Sequence, residues 1–257
     1  MALLIPESLP RAALVSGGAR RIGRAITLAL AEAGFDVAIH CRASRAEAEL
    51  LAKEISAAGR RALVLEADLS REHAMQELVP RALPLGPLGV LVNNASVFER
   101  DEWNTASRGS WDRHLEPNLR APFVLTQNFA RALPAAAVGV VVNLLDERVW
   151  ALTPHFVSYT LAKSGLWTLT RTLALALAPR IRVAAIGPGP TLPSPRQSAS
   201  DFARQQALLP LGRGPTPAEI GRAVLAILAL PSFTGQMLAL DGGQHLQWAP
   251  AHAGVEE

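Results

Sequence analysis

The sequence predicts an α/β fold with a single doubly wound parallel sheet and helices on both faces. Two observations support this prediction. Short apolar runs alternate along the 257 residues with longer stretches of helical periodicity. The short runs are continuously apolar, as in the strands of a Rossmann-type sheet that helices cover on both sides. No internal repeat and no interdomain linker divides the chain.

Each predicted strand is a short apolar run, and each predicted helix is a longer amphipathic stretch. We therefore expect one domain over residues 11–247, with tails at 1–10 and 248–257. The predicted strands are Ala12–Ser16, Asp36–Cys41, Ala62–Glu66, Gly89–Val92, Gly139–Leu144, Arg182–Ile186 and Met237–Leu240. The predicted helices are Ile22–Ala33, Ala46–Ala58, Arg71–Leu83, most of Trp111–Leu133, Tyr159–Ala178 and Pro217–Leu230.

The composition excludes several classes of protein. The formal net charge is only +3, and no dense basic run with interleaved aromatics suggests a nucleic-acid partner. No segment approaches ~20 uninterrupted apolar residues, so no membrane span is expected, and residues 1–10 do not resemble a signal peptide. The single cysteine, Cys41, excludes an intramolecular disulfide and is more typical of a core position than of a nucleophile. We expect a cytoplasmic protein without a metal site.

A glycine-rich turn follows the first predicted strand and opens the first helix. It reads Ser-Gly-Gly-Ala-Arg-Arg-Ile-Gly from Ser16 to Gly23. Glycines permit a tight turn with close backbone approach, and the free N–H groups of a helix N-terminus attract phosphate. The turn therefore predicts a phosphate-binding loop, with a purely structural turn as the alternative. Its predicted contacts are Gly17, Arg20, Arg21, Ile22 and Gly23.

The end of the second strand indicates which dinucleotide such a loop binds. Sites selective for NAD place an acidic residue there to bind the ribose 2′-hydroxyl. Here the strand ends at His40 and Cys41, and Arg42 and Ser44 follow, while Asp36 lies at the opposite end. Since the guanidinium fork suits a 2′-phosphate, we predict that His40, Arg42 and Ser44 bind NADPH/NADP+. Solvated loop arginines are the alternative.

The only tyrosine of the chain, Tyr159, lies four residues before Lys163 in a predicted helix. This spacing places both side chains on one helix face. A phenol beside an ammonium group is an acid–base pair, and we expect the lysine charge to lower the phenol pKa from about 10.

Residues 188–217 are rich in Pro, Ser and Gly and show little periodicity apart from Asp201–Leu209. Long irregular segments inside a compact domain are usually functional. This one follows the carboxyl end of a strand, where open α/β sheets bind ligands. We expect a substrate loop that acts as a lid, with an ordinary surface excursion as the alternative.

These features follow a definite order along the chain: the glycine-rich turn, Asn93-Asn94-Ala95-Ser96, Asn118, Asp146, Tyr159 and Lys163. The order resembles the short-chain dehydrogenase/reductase family over residues 11–247. The resemblance implies hydride transfer from a nicotinamide cofactor to a small-molecule substrate. It also implies a homotetramer or homodimer in which two long helices pack across a four-helix contact.

The same resemblance implies roles for further residues. Asp68 would hydrogen-bond the adenine, although a helix N-cap is an equal alternative. Asn118 would hold a water near Lys163, which itself would bind the nicotinamide ribose. Pro188 and Gly189 would let the backbone reach the nicotinamide carboxamide. The remaining implied cofactor contacts are Leu69, Asn94, Ala95, Ser96 and Tyr159.

The chain departs from the usual family pattern at several positions. Asp146 stands where most members carry a carbonyl-binding serine, and Arg21 stands where a glycine is usual. Together with Ser96, Phe98 and the basic residues after the second strand, these departures resemble the pteridine reductase branch, including dihydromonapterin and dihydrofolate reductases. In that branch the pterin lies between nicotinamide and Phe98.

The branch also implies how protons and phosphate are handled. Arg21 and Ser96 would bind cofactor phosphate and pterin, while Asp146, Tyr159 and Lys163 would serve proton transfer. Two other functions stay open at this point: reduction of a ketone or a 3-oxoacyl thioester, and a non-catalytic NADP(H)-binding protein. For Phe98, ordinary apolar packing is the alternative.

Overall fold

The computed structural model describes residues 4–194 and 196–247. Within them, seven parallel strands form one sheet in the order β3-β2-β1-β4-β5-β6-β7, which confirms the predicted fold. The strands are β1 Ala12–Val15, β2 Asp36–Cys41, β3 Ala62–Glu66, β4 Leu88–Asn93, β5 Gly139–Leu144, β6 Ile181–Pro188 and β7 Met237–Leu240. The helices are α1 Arg21–Glu32, α2 Arg45–Ala57, α3 Glu72–Ala82, α4 Arg108–Leu115, α5 Ala121–Ala132, α6 Val157–Leu177, α7 Ala199–Ala207 and α8 Pro217–Leu228.

Alternating side chains of the central strands build two hydrophobic layers, one on each face of the sheet. Val15 and Val92 face the layer that contains α1, α2 and α8. Leu14 and Leu91 face the layer that contains α3, α5 and part of α6. Leu9 also packs into the first layer, and the predicted domain boundaries at residues 11 and 247 stay predictions. The predicted tail at 248–257 lies outside the described residues.

The predicted helix over Trp111–Leu133 is divided in the structure. A π-helical turn, Glu116–Arg120, separates α4 from α5. Pro117 explains the division, because proline cannot donate the helical backbone hydrogen bond and its ring crowds the preceding turn. The other predicted elements differ from the observed ones by a few terminal residues. None of the described helices is both long and apolar enough to cross a bilayer.

The strand order reverses between β1 and β4, which places a crevice at the carboxyl ends of these two strands. The glycine-rich turn follows β1 and the Asn94–Ser96 segment follows β4, so the topology brings these two distant segments together.

Candidate active site

Two adjoining clefts open at the carboxyl edge of the sheet, with volumes of about 780 and 300 Å³. Arg21, Ile22, Asn94 and Ser96 line both of them. The larger cleft contains the predicted nucleotide contacts Gly17, Arg20, Arg21, Ile22, Gly23, His40, Arg42, Ser44, Asp68, Leu69, Asn94, Ala95 and Ser96. The smaller contains Arg21, Ser96, Phe98, Asp146, Tyr159, Lys163, Pro188 and Gly189.

The glycine-rich turn has the close packing that a phosphate loop requires. Gly17 adopts a left-handed φ of 62°. A Cβ on Gly23 would lie 2.0 Å from the carbonyl oxygen of Gly17, so no larger residue fits there. Arg21 also has a positive φ, 53°, at the position where the family pattern has glycine. Arg21 therefore occupies the left-handed backbone region, which is unfavourable for most residues other than glycine.

Ser16 and Asn94 hold the turn against the strand beside it. The Asn94 Nδ2 amide donates to the carbonyls of Ser16 and Gly17, both at 3.0 Å. The Ser16 Oγ accepts from the backbone N–H groups of Asn94 and Ala95 at 2.9 and 3.0 Å. The sequence analysis did not predict Ser16 as a site residue. Its position directly after a buried strand, with a polar side chain, could have indicated this role.

His40 lines the larger cleft, and its contact with the cofactor stays a prediction. Its ring is only 2% exposed and is enclosed by the backbone. Nδ1 accepts the Gly17 N–H at 3.0 Å, so Nε2 carries the ring hydrogen and donates to the Ala67 carbonyl at 3.0 Å. Burial lowers the His40 pKa to about 4. His40 is therefore a neutral support for the glycine-rich turn and offers no charge to a phosphate.

The rim of the larger cleft is basic where a 2′-phosphate would be held. Arg20 and Arg42 are exposed there, and Ser44 precedes α2. Asp36, at the opposite end of β2, forms an ion pair with Arg61 at 2.8 Å. These residues fit a phosphorylated ribose.

Asp68 does not cap the following helix, which rules out the alternative to its predicted role. Helix α3 begins at Glu72, and its N-cap residue is Arg71. The Asp68 Oδ1 instead accepts from the N–H and hydroxyl of Ser70 at 3.0 and 2.9 Å. Asp68 also lines the larger cleft, so the adenine contact stays a prediction.

The acid–base residues meet in the smaller cleft, as the spacing predicted, but their electrostatics differ from the prediction. The Tyr159 hydroxyl donates to Asp146 Oδ2 at 2.8 Å, and Lys163 Nζ donates to the Leu144 carbonyl at 2.7 Å. Burial and the Asp146 carboxylate raise the Tyr159 pKa well above its usual value. Burial lowers the Lys163 pKa to about 8. The expected lowering of the phenol pKa by the lysine is therefore wrong.

Asn118 lies in the π-helical turn, and its side chain holds the segment after β4. Its Oδ1 accepts the Val97 N–H and its Nδ2 donates to the Val97 carbonyl, both at 2.8 Å. The described contacts of this side chain are with Val97 rather than with Lys163. A water held near the lysine stays a prediction.

An aromatic cluster forms one wall of the smaller cleft. The ring of Phe98 stacks on Phe156 with centroids 4.4 Å apart and meets the Tyr159 ring edge-on at 4.7 Å. The buried Arg148 guanidinium lies over both phenylalanines, and its Nε is 3.7 Å from Asp146 Oδ1. Sequence reasoning missed Phe156 and Arg148, because neither position carries a signal without the contacts of the folded chain.

The predicted substrate loop, residues 188–217, lines the smaller cleft. Its contributions include Leu192, Gln197 and Phe202, the last on α7. The Arg21 guanidinium donates to the carbonyls of Leu192 and Pro193 at 3.3 and 3.0 Å, so it bridges this loop and the glycine-rich turn. The segment therefore borders the smaller cleft, and its roles as substrate loop and lid stay predictions.

The chain belongs to the short-chain dehydrogenase/reductase family. The family pattern described as short chain dehydrogenase matches residues 11–203. The parallel sheet and the shared cleft of Tyr159 and Lys163 are consistent with membership of this family.

Individual relatives cover nearly the whole chain. The crystal structure of FolM alternative dihydrofolate reductase 1 from Brucella canis, complexed with NADP, has a TM-score of 0.91 and 51% sequence identity, covering 94% of this chain and 96% of that one. A blue fluorescent protein from a metagenomic library, in complex with NADPH, has a TM-score of 0.84 and 31% identity, covering 93% and 99%. A 3-oxoacyl-(acyl-carrier-protein) reductase FabG from Staphylococcus epidermidis is 30% identical over 242 residues, covering 92% of this chain and 99% of the relative.

Proposed function

We propose that this protein is an NADPH-dependent reductase that transfers hydride to a pterin or a dihydrofolate-like ring. The observation that carries this proposal is the Asp146 carboxylate, which holds the Tyr159 hydroxyl at 2.8 Å where most family members have a serine. The relative from Brucella canis, described as an alternative dihydrofolate reductase with NADP, supports the same substrate class and cofactor.

The residues of the smaller cleft suit the reduction of a ring C=N bond, in which carbon takes hydride and nitrogen takes a proton. The bound nicotinamide supplies the hydride. Tyr159 keeps its proton on Oη because its pKa is raised, so it is a proton donor rather than a phenolate. Asp146 orients that hydroxyl, and Phe98 places an aromatic ring in the same cleft for contact with a flat heterocycle.

A ketone or 3-oxoacyl thioester is the alternative substrate, and the FabG relative supports it at lower identity. The carbonyl-binding serine that such a reaction usually employs is absent at position 146. A non-catalytic NADP(H)-binding protein fits less well, because the buried Tyr159 and Lys163 and the half-buried Asp146 form a complete acid–base group.

The test compares substrates and one substitution. The purified protein is assayed for NADPH oxidation with dihydrobiopterin, dihydrofolate and an acetoacetyl thioester. The dihydropterins should be reduced, and Asp146→Ser should lower that activity while NADPH affinity stays nearly unchanged. Asp146→Asn is the matched control for the carboxylate charge, since its amide keeps the size of the side chain. Inert dihydropterins together with rapid turnover of the thioester would refute the proposal.

A homodimer or homotetramer in the cytoplasm is part of this proposal. Leu161 and Leu175 of α6 are 47% and 84% exposed in the single chain, which supports a contact along this long helix. Sedimentation velocity would measure the assembly directly.

A further inference from the structure

A buried polar cluster surrounds the hydroxyl of Ser158, the residue directly before Tyr159. We call Asp101, His114 and Ser158 the Ser158 network. All three side chains are almost entirely buried, with exposures of 3%, 0% and 0%. The Ser158 Oγ lies 2.5 Å from Asp101 Oδ2 and 2.7 Å from His114 Nδ1.

The backbone fixes the direction of every hydrogen bond in the Ser158 network. The Glu99 N–H donates to His114 Nε2 at 3.0 Å, so this nitrogen carries no hydrogen. His114 Nδ1–H must then donate to the Ser158 Oγ, and the Ser158 hydroxyl donates to Asp101, with the Ser110 carbonyl as a more distant acceptor at 3.5 Å. This series of hydrogen bonds begins at the Glu99 N–H and ends at the Asp101 carboxylate, so it does not conduct protons to a reacting atom. It has one internally consistent geometry, which suits a positioning role.

Asp101 also replaces the missing cap of helix α6. The N-cap residue of α6, Phe156, has a left-handed φ of 58° and no side-chain cap. The Asp101 carbonyl accepts the N–H groups of Phe156 and Val157 at 2.8 and 3.4 Å. Its carboxylate Oδ1 accepts the Ser158 N–H at 3.1 Å. One residue from another segment therefore satisfies the first N–H groups of the helix and places a negative charge at its positive end.

The network joins the two elements that face the smaller cleft. Asp101 belongs to the segment after β4 that also carries Phe98, whereas Ser158 belongs to the first turn of the helix that carries Tyr159. We propose that the Ser158 network is a positioning device that fixes the Tyr159 hydroxyl relative to Asp146 and to the aromatic face of Phe98. This inference rests on the proposed function only for the substrate used in its assay.

The first experiment combines kinetics with NMR on Ser158→Ala. Because Tyr159 is the only tyrosine, protein with 13C-labelled tyrosine gives one Cζ resonance that reports on this hydroxyl alone. Ser158→Ala should lower kcat for dihydropterin reduction about tenfold or more, because small misplacements of a proton donor slow the reaction strongly. The KM for NADPH should change less than about twofold, and the Cζ resonance should shift or broaden.

Thr160 provides the matched control on the other side of Tyr159. Its buried Oγ1 has no hydrogen-bond partner among the described residues. Thr160→Ala should therefore keep the kcat and the single Cζ resonance of the unmodified protein. An equal loss of kcat in both variants would overturn the proposal, since the effect would then not depend on the network.

A second variant tests the direction of the chain and retains the helix cap. In Asp101→Asn, Oδ1 can still accept the Ser158 N–H, but the new amide is a donor that faces the Ser158 Oγ. The Ser158 hydroxyl then loses its short bond to the carboxylate and keeps only the distant Ser110 carbonyl, at 3.5 Å, as an acceptor. Asp101→Asn should reproduce the kcat loss and the change in the Cζ resonance. Unmodified kcat and resonance in both variants would refute the proposal. The resonance is measured without substrate, so inert dihydropterins would refute the proposed function and leave this test intact.

Discussion

The Tyr159 hydroxyl and the Asp146 Oδ2 are 2.8 Å apart, with the phenol as the donor. The carboxylate thereby stabilises the protonated phenol, and we propose that the two side chains act as one acid–base unit. Arg148 lies on the other side of the carboxylate, with its Nε 3.7 Å from Oδ1. The chemistry that we propose depends on this contact more than on the spacing between Tyr159 and Lys163.

Replacing Tyr159 with Phe removes the proton donor and keeps the ring that packs against Phe98. We expect turnover to fall about 10²-fold or more, because a general acid contributes roughly this factor. NADPH affinity, measured by fluorescence titration, should stay nearly unchanged. Unaltered turnover would remove Tyr159 from the mechanism.

Lys163→Met should abolish most activity yet stabilise the protein at neutral pH. Burial lowers the Lys163 pKa from 10.5 to about 8, so the unfolded chain binds more protons between these values. The cost of the buried ammonium is thus fully present below pH 8 and disappears as the pH rises towards 10.5. This cost in the free energy of unfolding is about 3 kcal/mol, because each pKa unit corresponds to about 1.36 kcal/mol.

Denaturant unfolding at pH 7 and pH 10 measures this effect. The stability advantage of Lys163→Met over the unmodified protein should be large at pH 7 and shrink at pH 10. Lys53, the other lysine of the chain, is exposed on α2 and gives the control Lys53→Met. If the stability difference between Lys163→Met and the unmodified protein were the same at both pH values, the cost assigned to the buried ammonium would be wrong.

Arg42 should determine the choice of cofactor. With its guanidinium on the rim of the larger cleft, NADPH should bind at least about tenfold more tightly than NADH, since one charge-assisted contact has this magnitude. Arg42→Asp should reverse or erase the preference. Arg131→Asp, on α5 outside both clefts, changes the net charge equally and should leave the preference intact. Equal affinities in the unmodified protein would contradict the prediction.

Phe98→Ala should raise the KM for a dihydropterin by up to about tenfold, because the contact between two aromatic faces is lost. Phe98→Leu keeps an apolar side chain against Phe156 and separates the aromatic contribution from packing. Phe123→Leu, on α5 and outside both clefts, is the control. A similar KM in Phe98→Ala and the unmodified protein would mean that the substrate does not stack on this ring.

The alternation of apolar runs and amphipathic stretches was sufficient to predict the parallel sheet, since both patterns follow from local geometry. The cluster at the strand ends could also be predicted, because parallel strands bring their carboxyl ends to one edge. The division of the long helix at Pro117 could have been predicted from the proline itself.

The electrostatics could not be predicted from spacing. The upward shift of the Tyr159 pKa depends on the burial of the phenol and on its contact with Asp146, and both result from tertiary packing. The neutral, enclosed ring of His40 has the same origin, because its partners Gly17 and Ala67 come from two other segments. Sequence patterns identify which groups meet, whereas the folded surroundings decide which of them carry charge.

The bridge from Arg21 to the carbonyls of Leu192 and Pro193 has a kinetic consequence. A phosphate oxygen is a stronger acceptor for a guanidinium than a peptide carbonyl is. We therefore expect a dinucleotide phosphate to compete with the two carbonyls for Arg21 and to free the loop that borders the smaller cleft. We would then expect the dinucleotide to bind first and the heterocycle second.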